Sequence, residues 1–136
     1  MATLEPVVIL CGGRGTRLRE QTESIPKALV EIGGRPILWH VMSIYAAQGF
    51  SRFLLLTGYK GELIADWAAR SQWPDGVSVQ TLDTGLETPT GGRIKLAEDA
   101  LGKGPFSLTY ADGVADIDLG RLADFHRDGG ALSTVT

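Results

Sequence analysis

Four consecutive apolar residues, Val7, Val8, Ile9 and Leu10, dominate the start of the hydrophobic pattern. A strand that is apolar at every position is one covered on both faces of its sheet, so this run predicts a buried strand over residues 6–11. Phe53 to Thr57 is a second continuous run and predicts a strand of the same kind. Between them the period changes. Ala28 to Ile32 reads as a short extended piece closed by a turn at Gly33-Gly34. Ile37, Leu38, Val41, Ile44 and Tyr45 then recur at helical spacing. Pro36 suits the first turn of that helix, and Gly49 stands where a left-handed residue would end it.

The alternation continues to the end of the chain. Leu63, Ile64, Trp67 and Ala68 mark a second helix that stops before Pro74. Val77, Val79 and Thr81 alternate as a strand. Residues 92–101 predict a third helix with Ile94, Ala97 and Leu101 on one face, and residues 106–110 predict a strand. Asp118 is placed to cap a helix carrying Leu119, Leu122 and Phe125, which Gly129-Gly130 ends. Residues 131–136 read as the start of another strand. Strands alternating with helices imply an α/β architecture, a mostly parallel sheet with helices on both faces. The sequence stops inside the last predicted strand with no helix to close the layer. The expectation is one domain over residues 1–136, cut short at its C-terminus and belonging to a longer protein.

Composition narrows the class. The 136 residues suffice for one domain with a core. Apolar residues make up 43% and charged residues 21%, the balance of a soluble globular chain. A net charge of -3 without a basic stripe argues against a nucleic-acid partner. The single cysteine, Cys11, allows no internal disulfide and no cysteine-based metal cluster. At the end of the first strand it reads as a small buried residue. The N-terminus lacks a basic start and a long apolar run, and no stretch approaches the roughly 20 apolar residues of a membrane span. A cytoplasmic protein without a membrane partner is expected.

The candidate chemistry begins where the first strand ends, in the stretch LCGGRGTRL. A P-loop would need a lysine after its second glycine, and none stands there. A dinucleotide fingerprint would need a third glycine where Leu18 lies, and Glu31 is not at the end of a second strand. The remaining readings are a strand-ending turn with solvated arginines, or a glycine loop whose backbone N–H groups form a nest for phosphate oxygens. In the second, Thr16 and Arg17 would face a nucleoside triphosphate, and Arg17 would supply a permanently charged fork. Lys27, in a second loop after Pro26, would return beside the first loop and favours the phosphate reading. Asp112, after the 106–110 strand, is either an Asp-Gly turn residue or a carboxylate at the end of a parallel strand, where open α/β sheets bind ligands.

CGGRGTRL, Ile25-Pro26-Lys27-Ala28-Leu29-Val30 and Ile32-Gly33-Gly34-Arg35-Pro36-Ile37-Leu38 together resemble the signature of the sugar-1-phosphate nucleotidyltransferases. VEIGGRPILWHVM, TGYKG, TGGR, TYADGVADIDL and DFH are similar, in the same order, to the cytidylyltransferase branch acting on glucose-1-phosphate. The resemblance covers almost the whole chain. It implies a Rossmann-like, GT-A-type fold and transfer of a nucleotidyl group from CTP to glucose-1-phosphate, releasing pyrophosphate. UTP, dTTP or GTP is the alternative, and a non-catalytic nucleotide-binding module the other reading. Carried over by matching positions, Leu10, Cys11, Gly12, Gly13, Arg14, Gly15, Thr16 and Arg17 would wrap the nucleotide. Arg17 and Lys27 would be catalytic, set on the triphosphate where charge develops. Thr88, Arg93 and Ala111 would contact the nucleotide, and Asp112 would bind Mg2+. Asp116 reads as solvated, and His40, His126, Trp67 and Trp73 as packing or surface residues. The relatives carry a longer segment where Ser71 to Thr81 stands. They also take a sugar-phosphate lysine and a second metal aspartate from positions beyond residue 136. A homo-oligomer is a further expectation.

Overall fold

A four-stranded parallel sheet forms the centre of the computed structural model, which describes residues 4–14 and 24–136. β1 (Val7–Leu10) is flanked by β4 (Arg52–Thr57) and β6 (Ser107–Tyr110), and β5 (Ser78–Asp83) lies outside β4, so the order is β5-β4-β1-β6. β2 (Glu31–Ile32) and β3 (Arg35–Pro36) form a separate antiparallel hairpin. Gly33 and Gly34 turn it, both with positive φ, 61° and 80°, which fits a two-residue hairpin turn. The helices are α1 (Ile37–Ala47), α2 (Gly61–Arg70), α3 (Thr90–Leu96), α4 (Glu98–Leu101) and α5 (Leu119–Gly129).

The two apolar runs are the two central strands, and both are buried throughout apart from Arg52. Their side chains divide between two cores. Val7, Ile9, Phe53 and Leu55 pack with Leu38, Val41 and Met42 of α1, Ile64 of α2 and Leu119 of α5. Val8, Leu10, Leu54 and Leu56 pack with Ala97, Ile94 and Leu101 beside α3 and α4. Burying each large aliphatic side chain contributes about 1.5–3 kcal/mol. A register slip of one residue would exchange the two sets, so the pairing of Ile9 with Leu55 is fixed from both sides. The second face is covered only in part. Leu108 and Tyr110 of β6, paired with Val8 and Leu10, remain 43% and 58% exposed.

Mostly parallel strands with helices on both faces match the expectation, and local departures have local causes. Lys27–Leu29 is one turn of 3₁₀-helix rather than extended chain. Pro26 holds φ at -68°, and its carbonyl accepts from the Leu29 N–H at 2.9 Å. The helix expected over 92–101 begins at Thr90 and breaks at Ala97, which is fully buried with ψ near 3°. Residues 131–136 form no strand. Leu132 and Val135 are almost fully exposed there, and extended chain without a ladder partner gains nothing from its backbone groups. Phe125 is 69% exposed, because α5 buries Leu119 and Ala123. Six residues after Leu119, at about 100° per residue, Phe125 lies off that face. Asp118 caps α5 as expected, its Oδ1 accepting from the Arg121 N–H at 2.9 Å.

Candidate active site

The sheet order reverses at β1: β4 lies on one side and β6 on the other. Ligands of open parallel sheets bind outside the carboxyl ends of strands at such a point. A cavity of about 300 Å³ occupies it. Leu10, Cys11, Gly12 and Gly13 form one wall, Tyr110, Ala111 and Asp112 another; Lys27, Thr88 and Arg93, also expected, line the rest. Ala28, Pro89 and Thr90 also line it. These were not foreseen, although Pro89 and Thr90 adjoin the TGGR stretch. Gly15, Thr16 and Arg17 lie outside the described residues. Arg14 points to the rim, where its guanidinium pairs with the Glu87 carboxylate and both side chains are at least half exposed.

Lys27 and Asp112 meet across the cavity, 85 positions apart in the chain. The Lys27 Nζ lies 2.6 Å from Asp112 Oδ2. The 3₁₀ turn after Pro26 carries the lysine in, and the end of β6 carries the carboxylate. The pair is partly exposed, so its charges stay available to a ligand.

Arg93 is placed differently. It is 6% exposed and comes from α3 beneath the strand-end loops. Its Nη1 donates to Thr84 Oγ1 and the Gly85 carbonyl, both at 2.7 Å, and to the Thr57 carbonyl at 3.2 Å. Nη2 donates to the carbonyls of Gly12 and Leu86, each at 3.3 Å. One guanidinium thus ties together the ends of β1, β4 and β5. Among the described residues no carboxylate pairs with it. The loop after β5 is shaped independently by Asp83, whose Oδ1 accepts from the Gly85 N–H at 2.9 Å, and by the Thr88 hydroxyl, which donates to the Thr84 carbonyl.

Cys11 lines the cavity but is 4% exposed, and burial pushes its thiol pKa well up. It stays a thiol at neutral pH and is no nucleophile. His40 Nε2 lies 2.7 Å from the Ile32 carbonyl, and His126 Nδ1 lies 3.0 Å from Thr134 Oγ1; neither enters the cavity. A larger groove of about 890 Å³ lies between α1 and α2, lined by Trp39, Trp67 and Trp73 with Arg35 and Arg70. It holds neither the glycine loop nor a carboxylate. Among the described residues no three potential metal-binding side chains cluster, and no helix is long and apolar enough to cross a membrane.

The comparisons with known proteins agree with this geometry. Residues 6–136 match the model of the nucleotidyl transferase family. The "Probable glucose-1-phosphate cytidylyltransferase" of Bacillus subtilis (strain 168) is 44% identical over 148 residues, covering 95% of this chain and 58% of the relative. The "Glucose-1-phosphate cytidylyltransferase" of Salmonella typhimurium is 39% identical over 150 residues, with the same shares of both chains. Among solved structures, HddC from Yersinia pseudotuberculosis complexed with GMP-PN superposes with a TM-score of 0.79 at 31% identity, covering 90% of this chain and 54% of that one. The chain therefore spans a little over half the length of the relatives it matches. A match over residues 6–136, nearly the whole length, places the chain in the nucleotidyl transferase family.

Proposed function

We propose that the chain is the nucleotide-binding portion of a sugar-1-phosphate nucleotidyltransferase that takes CTP and glucose-1-phosphate and releases pyrophosphate. The observation that carries this reading is the meeting of Lys27 and Asp112 across a cavity floored by the Gly12-Gly13 loop. A triphosphate needs cations and backbone N–H groups, and a metal that bridges its oxygens needs a carboxylate. Both kinds of group converge here. The named cytidylyltransferase relatives support the choice of base and sugar. The reaction is an in-line attack of a sugar phosphate oxygen on the α-phosphorus, and the protein contributes positioning and fixed charge rather than covalent chemistry.

In this reading Lys27 moves from Asp112 to the phosphates and stabilises the charge that builds on them. Gly13 presents backbone to the same oxygens, and Arg17 adds a second cation. Thr88 and Ala111 bound the nucleotide. Asp112 would hold Mg2+, which fits the site: Mg2+ is commonly held by one or two carboxylates together with substrate phosphates and water. When bound, the ion neutralises phosphate charge during transfer. A cytoplasmic location goes with this reading.

Calorimetric titration of the chain with CTP, UTP, dTTP and GTP, each with Mg2+, tests it. The expected result is binding to one site per chain, tightest for CTP. Binding of none of the four would sink the proposal. A second reading is a nucleotide-binding module without turnover. Pyrophosphate release from CTP and glucose-1-phosphate by the chain alone would exclude it.

A further inference from the structure

A buried guanidinium is costly to desolvate, and Arg93, which has no carboxylate partner among the described residues, meets that cost with carbonyl and hydroxyl acceptors from three loops. One of those acceptors faces the cavity's glycine loop. The Gly12 carbonyl accepts from Arg93 Nη2 and also from the Tyr59 N–H, both at 3.3 Å, so it is drawn inward towards the end of β4. In a planar trans peptide the C=O and the following N–H point in opposite directions. With the Gly12 carbonyl held inward, the Gly13 N–H faces away from that interior, on the side where Gly13 lines the cavity. Among the described residues no acceptor engages that N–H.

The room for this arrangement comes from two glycines distant in sequence. A Cβ on Gly12 would lie 2.3 Å from Arg93 Cζ, and one on Gly58 would lie 2.5 Å from Nη1. Neither glycine has the positive φ that would otherwise explain it. The guanidinium lies against the backbone of both, and at Gly58 the Gly85 carbonyl, 2.6 Å from the same position, closes it as well.

We propose that Arg93 is a positioning residue for the phosphate site: it fixes the Gly12–Gly13 peptide so that the Gly13 N–H donates to a phosphate oxygen of the ligand. Arg93 acts on the ligand through that peptide, with its two Nη groups engaged by loop carbonyls and the Thr84 hydroxyl. The inference rests on the phosphate-binding reading above, and deepens it by naming a donor and what aims it. Arg93→Lys keeps the charge but loses the fork whose Nη1 holds Thr84 and Gly85 while Nη2 reaches Gly12.

The test uses the isotope-labelled chain, titrated with CTP plus Mg2+ and, separately, with inorganic tripolyphosphate, following the Gly13 amide by NMR. In the wild type the Gly13 proton is expected to move downfield with both anions. A folded Arg93→Lys chain should lose that shift and bind at least about tenfold more weakly, the scale of a hydrogen bond to a charged group. Two results overturn the proposal: CTP binding without movement of the wild-type Gly13 amide, or an Arg93→Lys chain that keeps the full Gly13 shift while losing affinity, which would make Arg93 a direct contact. If Arg93→Lys does not fold, the wild-type titration decides alone. If no nucleotide binds but tripolyphosphate still moves Gly13, the nucleotidyltransferase reading fails while the donor assignment stands.

Discussion

Two cations serve the same cavity in opposite ways. Arg93 is buried, has no carboxylate partner among the described residues, and has its hydrogen bonds committed to the ends of β1, β4 and β5. Lys27 is a third exposed and rests on Asp112 in a partly exposed ion pair. The first is architecture: its acceptors are uncharged, so it adds positive potential without competing for the ligand's negative charge. The second is, in the proposed function, the charge that changes partner when phosphates bind. A site for a highly charged ligand needs both, a rigid donor frame and charges that can change partners.

The comparison is broken most sharply on the buried side. Gly12→Val should displace the Arg93 guanidinium and cost about 3 kcal/mol or more in urea unfolding, through buried donors left unpaired. Gly13→Ala, where an added Cβ meets nothing within 4 Å, should cost far less; equal losses would contradict the wiring. On the exposed side, Lys27→Ala should weaken CTP binding by tenfold or more in calorimetry while shifting stability by less than about 1 kcal/mol, as for exposed ion pairs. Asp112→Asn should abolish the Mg2+-dependent part of binding and leave metal-free nucleotide affinity unchanged or raised, since a negative charge is removed beside the phosphates.

Cys11 provides a pH test of the buried wall. Its raised pKa means the folded chain resists forming thiolate, so iodoacetamide should label it slowly at neutral pH and readily after unfolding. The sign for stability follows: full below the ordinary thiol pKa of about 8.5, then falling as pH rises and only the unfolded chain ionises. Cys11→Ala should remove that part of the alkaline loss. The smallest effect is expected at the rim. Arg14→Ala breaks an exposed pair with Glu87 and should change stability by less than about 1 kcal/mol.

Much of the frame was legible because burial on two faces leaves an unmistakable mark. Only a central strand can be apolar at Val7, Val8, Ile9 and Leu10 in succession, and the same holds for Phe53 to Leu56. Strand-end loops therefore located the cavity before any geometry was known. Two features resisted. The Lys27–Asp112 contact spans 85 positions and leaves no periodic trace; the sequence brought each residue to the strand-end loops separately and did not pair them. The inward course of Arg93 was hidden, because an arginine at the start of a helix ordinarily meets solvent. Its only trace was the pair of glycines, Gly12 and Gly58, and a glycine at a strand end reads equally as a turn. Edge structure was overread for a physical reason. Residues 131–136 have the composition of a strand, but pairing needs a partner edge, which composition does not supply.

Mapping CTP onto the labelled chain by NMR tests the central claim most directly, because all three tryptophans, Trp39, Trp67 and Trp73, line the larger groove and none lines the cavity at the strand ends. The account predicts that CTP with Mg2+ shifts the amides of Gly13, Lys27, Ala111 and Asp112 and leaves the three indole N–H signals in place. Movement of the indoles with silent glycine-loop amides would put the nucleotide in the wrong cavity and contradict it.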